Sequence, residues 1–259
     1  MQLGFIGQGF IGKNYANDFE NRGYAVVRYA LEQEYIGNKE SIKTCDVVFI
    51  AVPTPTTPHG FDYSIVDEAV GLVGSGKTAV IKSTVLPGTT RGLQDKYVDK
   101  VVLFSPEFLS EATAAYDAAH PMFNILGLSY ESPGNMCMAE RIMDILPTSE
   151  HNFIISAQSA ELFKYTHNLQ GFMRVVLANI LYDCAKAVDA DWTDIKPIMD
   201  VDPMMSPWYN SPVHKRGRGA GGNCFIKDMA AFRSMYERLL QHDTFGIAVL
   251  KAMEGKNLE

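Results

Sequence analysis

The sequence predicts an α/β fold: a Rossmann-like, doubly wound, mostly parallel sheet followed by an all-helical domain built on one long helix. Three observations carry this reading. Six short apolar runs recur up to residue 128, and most are continuous rather than alternating, as strands covered on both faces are. A glycine-rich turn separates the first run from a helical pattern. After residue 156 a long, proline-free segment of helical character takes over.

Residues 2–6 (QLGFI) read as a buried strand, and GQGFIG then opens a helix that runs to about Arg22. Further strands are expected at 25–29, 46–52, 79–83, 101–105 and 124–128. Helical segments at 63–73, 88–97 and 134–146 alternate with several of them, the βαβ rhythm of a parallel sheet. The boundary falls near residue 156, giving a Rossmann-like domain at 1–156 and a helical domain at 157–259. In the second, residues 158–188 are apolar around much of the helix circumference, which marks a buried helix. A helix at 192–200, a Pro- and Gly-rich connection at 202–223 and a single final helix over about 226–253 complete it.

The chain has 259 residues and a net charge of -7, which argues against a nucleic-acid surface despite the basic run HKRGRG at 214–219. No apolar run reaches the ~18 residues that span a bilayer. The start MQLGFIG lacks the pattern of a signal peptide. Cys45, Cys137, Cys184 and Cys224 fit no zinc or CxxC spacing. The expectation is a cytoplasmic protein with free thiols, no metal and no membrane segment.

Gly7, Gly9 and Gly12 have the G-x-G-x-x-G spacing, here after a strand and before a helix. The first glycine permits a tight turn, the second a close pyrophosphate, the third close helix packing. The helix start then faces the phosphates. GLVGSGKT at 71–78 also fits a P-loop, but it leaves a helix and enters a strand, the reverse of a P-loop's context. No acid ends the second strand; Ala30 stands there and Glu32 is the nearest carboxylate, so NAD and NADP stay open at this point.

Glu107 and Glu111 are four apart beyond the fifth strand and would share a face if that segment is helical. Lys164 and Asn168 are four apart on the long helix and would present an ammonium and an amide together. Such donors suit a developing oxyanion, though an exposed charged face has the same spacing. Ser83, Thr84 and Thr89 follow the fourth strand as cofactor contacts or as a turn. His120 and His167 read as solvated or packing residues. Cys224 stands between glycines and the final helix. A helix start and Lys227 would lower a thiol's pKa while Asp228 would oppose them, so spacing alone leaves a nucleophile and a structural thiol both open.

Taken in order, GFIGQGFIG, VFIAVPTPT, KSTVLPGTT, SPEFLSEATA, AELFKYTHN and GAGGNCFIKD resemble the nucleotide-sugar dehydrogenase family (UDP-glucose and GDP-mannose dehydrogenases), from residue 1 to about 250. The resemblance implies NAD-dependent oxidation of a nucleotide-sugar primary alcohol to the uronic acid. Cys224 would form the thiohemiacetal and thioester, with Lys164 and Asn168 steadying the oxyanion. Asp228 and Thr84 would position water or move protons, and Glu107 would activate the hydrolytic water. It implies cofactor contacts from Gly7, Gly9, Phe10, Ile11, Gly12, Glu32, Val52, Pro53, Thr54, Ser83, Thr84 and Glu111. Substrate contacts would come from Phe108, Leu109, Lys164, Asn168, Lys215, Gly217, Gly219 and Gly221.

The resemblance further implies a homodimer through helix 158–188. The family continues into a second Rossmann-like domain that holds the substrate's nucleotide. That domain is expected to be absent here, and a separate chain could supply it. An alternative follows: a dinucleotide-binding regulatory or partner subunit without catalysis of its own. Simple β-hydroxyacid dehydrogenases share the layout but use a lysine without a nucleophilic cysteine, so Cys224 argues against them. The chain departs from the family pattern at Ala30, Met204, Ile226 and the stretch PMF at 121–123.

Overall fold

The computed structural model describes residues 1–57, 60–205, 207–215 and 217–258. The contacts divide the chain into two compact bodies, Met1–Pro55 with Phe61–Lys164, and Thr56–Gly60 with Tyr165–Glu259. The break falls within one continuous helix. Arg216, part of the basic run, lies outside the described residues.

The first body opens with β1 (Leu3–Ile6), α1 (Phe10–Asn21), β2 (Val26–Tyr29), α2 (Lys39–Ile42) and β3 (Val47–Ile50). Two-residue strands β4 (Thr56–Thr57) and β5 (Gly60–Phe61) pair with each other, in a stretch that belongs to the second body up to Gly60. Then come α3 (Ser64–Leu72), β6 (Thr78–Ile81), α4 (Thr89–Lys96), β7 (Val101–Phe104), α5 (Ala114–Ala119), β8 (Phe123–Leu128), α6 (Pro133–Met143) and β9 (His151–Ser156). The strand order is β2-β1-β3-β6-β7-β8-β9, parallel except where β8 runs against β7. The six expected strands are all present, and β9 is a seventh on the edge beside β8.

Successive residues along each strand serve opposite faces. Val48, Ile50, Ala79, Ile81, Val102 and Phe104 pack into one core, while Val47, Phe49, Val80 and Leu103 pack into the other. Phe5 lies 5.0 Å from Phe49 and 5.6 Å from Phe19 between ring centroids, which ties α1 to the sheet. Each fully buried ring of this kind stabilises the fold by about 1.5–3 kcal/mol. The strand order switches sides between β1 and β3, which run parallel, so the crevice of the sheet lies beyond their carboxyl ends.

The P-loop-like stretch ends α3 and enters β6. Its glycines serve packing: a Cβ on Gly74 would meet the Lys43 carbonyl at 2.1 Å, and Gly76 has φ +72°. It is a helix-to-strand turn.

Helix α7 (Ala157–Ala187) belongs to the first body up to Lys164 and to the second beyond it. The second body adds α8 (Trp192–Val201), a short hairpin of β10 (Val213–His214) and β11 (Gly217–Arg218), α9 (Asn223–Leu239) and α10 (Thr244–Lys256). The single final helix expected over 226–253 is therefore two. Asp243 is the reason for the break: its carboxylate accepts from the Gly246 amide at 2.9 Å and starts a new helix. Ion pairs from Arg233 to Glu254 (2.6 Å) and from Lys251 to Glu237 (3.1 Å) join the two helices.

Gly171 on α7 makes room for α9. A Cβ there would lie 2.5 Å from the Phe225 ring and 3.1 Å from Tyr209. Phe225 is buried and stacks on His214, with centroids 5.1 Å apart, immediately after Cys224. Gly171→Val is expected to lower stability by about 1–3 kcal/mol through overpacking, read as a fall of several degrees in thermal melting.

Candidate active site

The dinucleotide crevice is shaped by what its glycines leave out. Gly7 has φ +90°, and a Cβ on it would meet the Ala51 carbonyl at 2.2 Å. The ends of β1 and β3 can therefore approach only through a glycine. A Cβ on Gly12 would lie 1.9 Å from the Gly7 carbonyl, so α1 packs directly on the turn. At Gly9 a Cβ would meet nothing within 4 Å, leaving open space over the helix start. Gly9 is also the cap residue of α1 and gives it no side-chain hydrogen bond, so the first N–H groups remain free for phosphate. This arrangement fits a dinucleotide pyrophosphate. Gly12→Ala is expected to cost about 1–3 kcal/mol of stability and to weaken dinucleotide binding, measured by melting and by calorimetric titration.

Phe10 and Glu32 are exposed, Ile11 is half-buried and Ala30 is buried. Arg28 is not free to meet a second phosphate. Its guanidinium binds both oxygens of Glu20 at 3.0 and 2.6 Å and reaches Asn17 and Gln8. After β3, Val52 is half-buried, Pro53 exposed and Thr54 buried. Ser83 accepts from the Val52 amide at 2.9 Å, and Thr54 donates to the Thr84 carbonyl at 2.9 Å. The cofactor-contact candidates Val52, Pro53, Thr54, Ser83 and Thr84 thus share two connected loops.

Glu107 and Lys164 form the centre of the first body's polar cluster. They are 6 % and 4 % exposed and pair at 3.1 Å. Lys164 also donates to the Glu107 carbonyl, and Glu107 accepts from the Leu109 amide at 2.9 Å. A buried pair persists only with such extra bonds. The Lys164 ammonium lies 4.9 Å from the centre of the half-buried Phe108 ring. Glu111 does not join Glu107 on a helix face. Residues 105–113 are not helical, Glu107 is buried, and Glu111 is exposed.

Lys82, which sequence reasoning left unassigned, lies beneath this cluster. It is 2 % exposed and donates to the Ser105 carbonyl and hydroxyl at 3.2 and 3.3 Å, over the Tyr15 ring at 4.0 Å. Burial pushes its ammonium down to about 7; the Glu107 charge opposes that and the Lys164 charge adds to it. Its sequence signal was a lysine closing an otherwise apolar strand.

In the second body, Asn168 donates to Asp228 at 2.6 Å, and Lys227 donates to the other Asp228 oxygen at 2.6 Å. Asp228 is 1 % exposed. The two charges that follow Cys224 in sequence are therefore paired with each other. Cys224 is exposed, on the first turn of α9 just after Gly222, which has φ +87°. Lys215 packs over this turn: a Cβ on Gly222 would lie 2.5 Å from its ammonium. Of the nearby glycines, Gly217 is exposed, Gly221 half-buried and Gly219 buried with φ +88°. Of the remaining thiols, Cys45 is buried, and burial pushes it up to about 11; Cys137 and Cys184 are exposed. His120 is exposed and stacks on Tyr116. Among the described residues no helix is long and apolar enough to cross a membrane, and no group of three or more His, Cys, Asp or Glu could hold a metal ion.

Comparison with known proteins gives this arrangement a lineage. Residues 32–144 match the model of the UDP-glucose/GDP-mannose dehydrogenase family NAD binding domain, and residues 158–257 match the same family's central domain. A putative UDP-glucose 6-dehydrogenase of Bacillus subtilis is 31% identical over 208 residues, 75% of this chain and 47% of that protein. A GDP-mannose 6-dehydrogenase of Pseudomonas aeruginosa is 28% identical over 230 residues, 80% of this chain and 51% of that protein. The chain thus spans about half the length of these curated relatives. A UDP-glucose dehydrogenase structure from Pyrobaculum islandicum superposes with a TM-score of 0.83 at 24% identity, covering 99% of this chain and 67% of that one. With both of its matched segments drawn from one family, this chain belongs to the UDP-glucose/GDP-mannose dehydrogenase family.

Proposed function

We propose that the protein oxidises the primary alcohol of a nucleotide-sugar to the uronic acid, with NAD as hydride acceptor. The observation that carries this is the buried Lys164–Glu107 pair, a cation held in place where a soluble surface would leave it solvated. Two molecules of NAD, bound one after the other, would accept one hydride each; Gly7, Gly9, Gly12 and the start of α1 would hold the pyrophosphate, and Val52, Thr54 and Ser83 would line the cofactor.

Oxidising an alcohol to an acid removes two hydrides, and water supplies the second oxygen. The alcohol first gives its hydroxyl proton, by way of Asp228 or Thr84, to water and a hydride to the first NAD, leaving the aldehyde. The Cys224 thiolate adds to the aldehyde carbon, and the thiohemiacetal oxygen is steadied by Lys164 and Asn168. Loss of the second hydride leaves a thioester. Water activated by Glu107 and oriented by Asp228 and Thr84 attacks it, releasing the acid and restoring the thiol. Phe108, Leu109, Lys215, Gly217, Gly219 and Gly221 lie along the sugar-nucleotide.

We also propose that it works as a homodimer through α7. Leu177, Ile180 and Leu181 are 51%, 45% and 43% exposed at helical spacing, an apolar stripe suited to a second copy. A separate chain supplying nucleotide contacts belongs to the same proposal. The test is to incubate the protein with NAD and a panel of UDP- and GDP-sugars and follow the reduced-nicotinamide absorbance. Turnover on one sugar supports the reading. Dinucleotide binding by folded protein without turnover, with or without a partner chain, contradicts it and favours a regulatory subunit.

A further inference from the structure

Glu161 lies on α7 one turn before Lys164, and it is fully buried. A buried carboxylate needs hydrogen-bond partners. Both oxygens find them at the start of α4: one accepts from the Gly88 amide at 2.6 Å, the other from the Thr90 amide at 2.8 Å. Carboxylates are favoured at a helix start because the free N–H groups and the helix dipole point there. Here the cap comes from another helix, more than 70 residues along the chain. Burial pushes the carboxyl up to about 7, and the hydrogen bonds from Thr90 and Gly88 oppose that rise.

The segment between β6 and α4 carries Thr84. Its early part is tied to the loop after β3, through Ser83 to Val52 at 2.8 Å and through Thr54 to the Thr84 carbonyl at 2.9 Å. Its late part turns through Gly88, with φ +95°, into the amides held by Glu161. Thr84 is therefore suspended between two anchors, and one of them is borne by the helix that carries Lys164.

We infer that Glu161 is a positioning residue for the proposed oxidation: it clamps the Thr84 loop to α7, so that Thr84 and Lys164 keep a fixed spacing. It touches neither substrate nor cofactor. The inference rests on the function proposed above, and its test separates the two.

The experiment compares the full chain with Glu161→Gln, by amide hydrogen exchange and by steady-state kinetics well below the melting temperature. Glutamine keeps the shape, but one of its two terminal atoms is a donor facing a donor. The expected result is loss of protection at Gly88 and Thr90 by about tenfold or more. With it, kcat falls by about 10- to 100-fold, the scale of a catalytic group displaced by about an ångström. The KM for NAD rises by a smaller factor than kcat falls, because the Thr84 loop lines the cofactor while the Gly7–Gly12 turn that holds its pyrophosphate is untouched. Wild-type kcat in Glu161→Gln overturns the inference. So do unprotected Gly88 and Thr90 amides in the wild-type chain, or a loss of activity fully matched by loss of folded protein. If Glu161→Gln does not fold, Glu161→Asp is read in the same way, since it keeps the charge and shortens the reach. Absence of any turnover by the wild-type chain defeats the proposed function instead, while the exchange data still decide whether the clamp exists.

Discussion

Replacing Lys164 with methionine is expected to damage both stability and activity. The substitution keeps the side-chain length and leaves Glu107, 6 % exposed, without the ammonium that pairs with it. Removing one member of a buried ion pair costs about 3–5 kcal/mol, because the remaining charge is stranded or must take up a proton. Chemical denaturation should show this as a lowered midpoint at unchanged slope. Activity should fall by about 10²- to 10³-fold in kcat, the usual effect of removing one oxyanion donor. The double variant Glu107→Gln with Lys164→Met separates the two effects. It removes both charges, so most of the stability should return, while activity stays lost. Restored activity in the double variant would show that neither Lys164 nor Glu107 takes part in the chemistry.

Cys224→Ser should show the opposite balance. Cys224 is exposed on the first turn of α9, so folding should change by no more than about 0.5 kcal/mol. Acid formation should fall by about 10³-fold or more, because a serine hydroxyl is a far weaker nucleophile than a thiolate at neutral pH. Chromatography of the products, with melting curves for both proteins, checks the pair of expectations. Undiminished acid output from a folded Ser variant would exclude the thioester route.

Much of the first body was legible because its signals are local. A strand covered on both faces reads as a continuous apolar run, and Val47–Ile50 is buried at every position. The edge strand β9 gave no such signal, since its first three residues, His151, Asn152 and Phe153, are exposed. Helix spacing misled at Glu107 and Glu111: they stand four apart, but helix begins only at Ala114. The break before α10 was also hidden, because it depends on Asp243 capping Gly246 rather than on glycine or proline at the junction.

The site followed the same division. Motif order brought out Lys164, Asn168, Cys224 and Asp228. Their partners were not legible, because Glu107 meets Lys164 across 57 residues and Asp228 meets Asn168 across 60. Charge reasoning over Cys224, Lys227 and Asp228 treated the two charges as rivals for the thiol. The structure shows them bonded to each other. Lys82 and Glu161 lay inside quoted motifs and still went unassigned, since burial is what makes a lysine or a glutamate unusual, and burial belongs to the tertiary structure.

The central proposal is that this chain takes one alcohol through two hydride transfers, with Cys224 holding the aldehyde for the second. The most direct measurement is the ratio of reduced nicotinamide formed to nucleotide-sugar consumed, with the product identified by mass. The account predicts two equivalents of reduced cofactor and one uronic acid for each sugar. One equivalent with an aldehyde product, or bound dinucleotide with none reduced across the sugar panel, would contradict it.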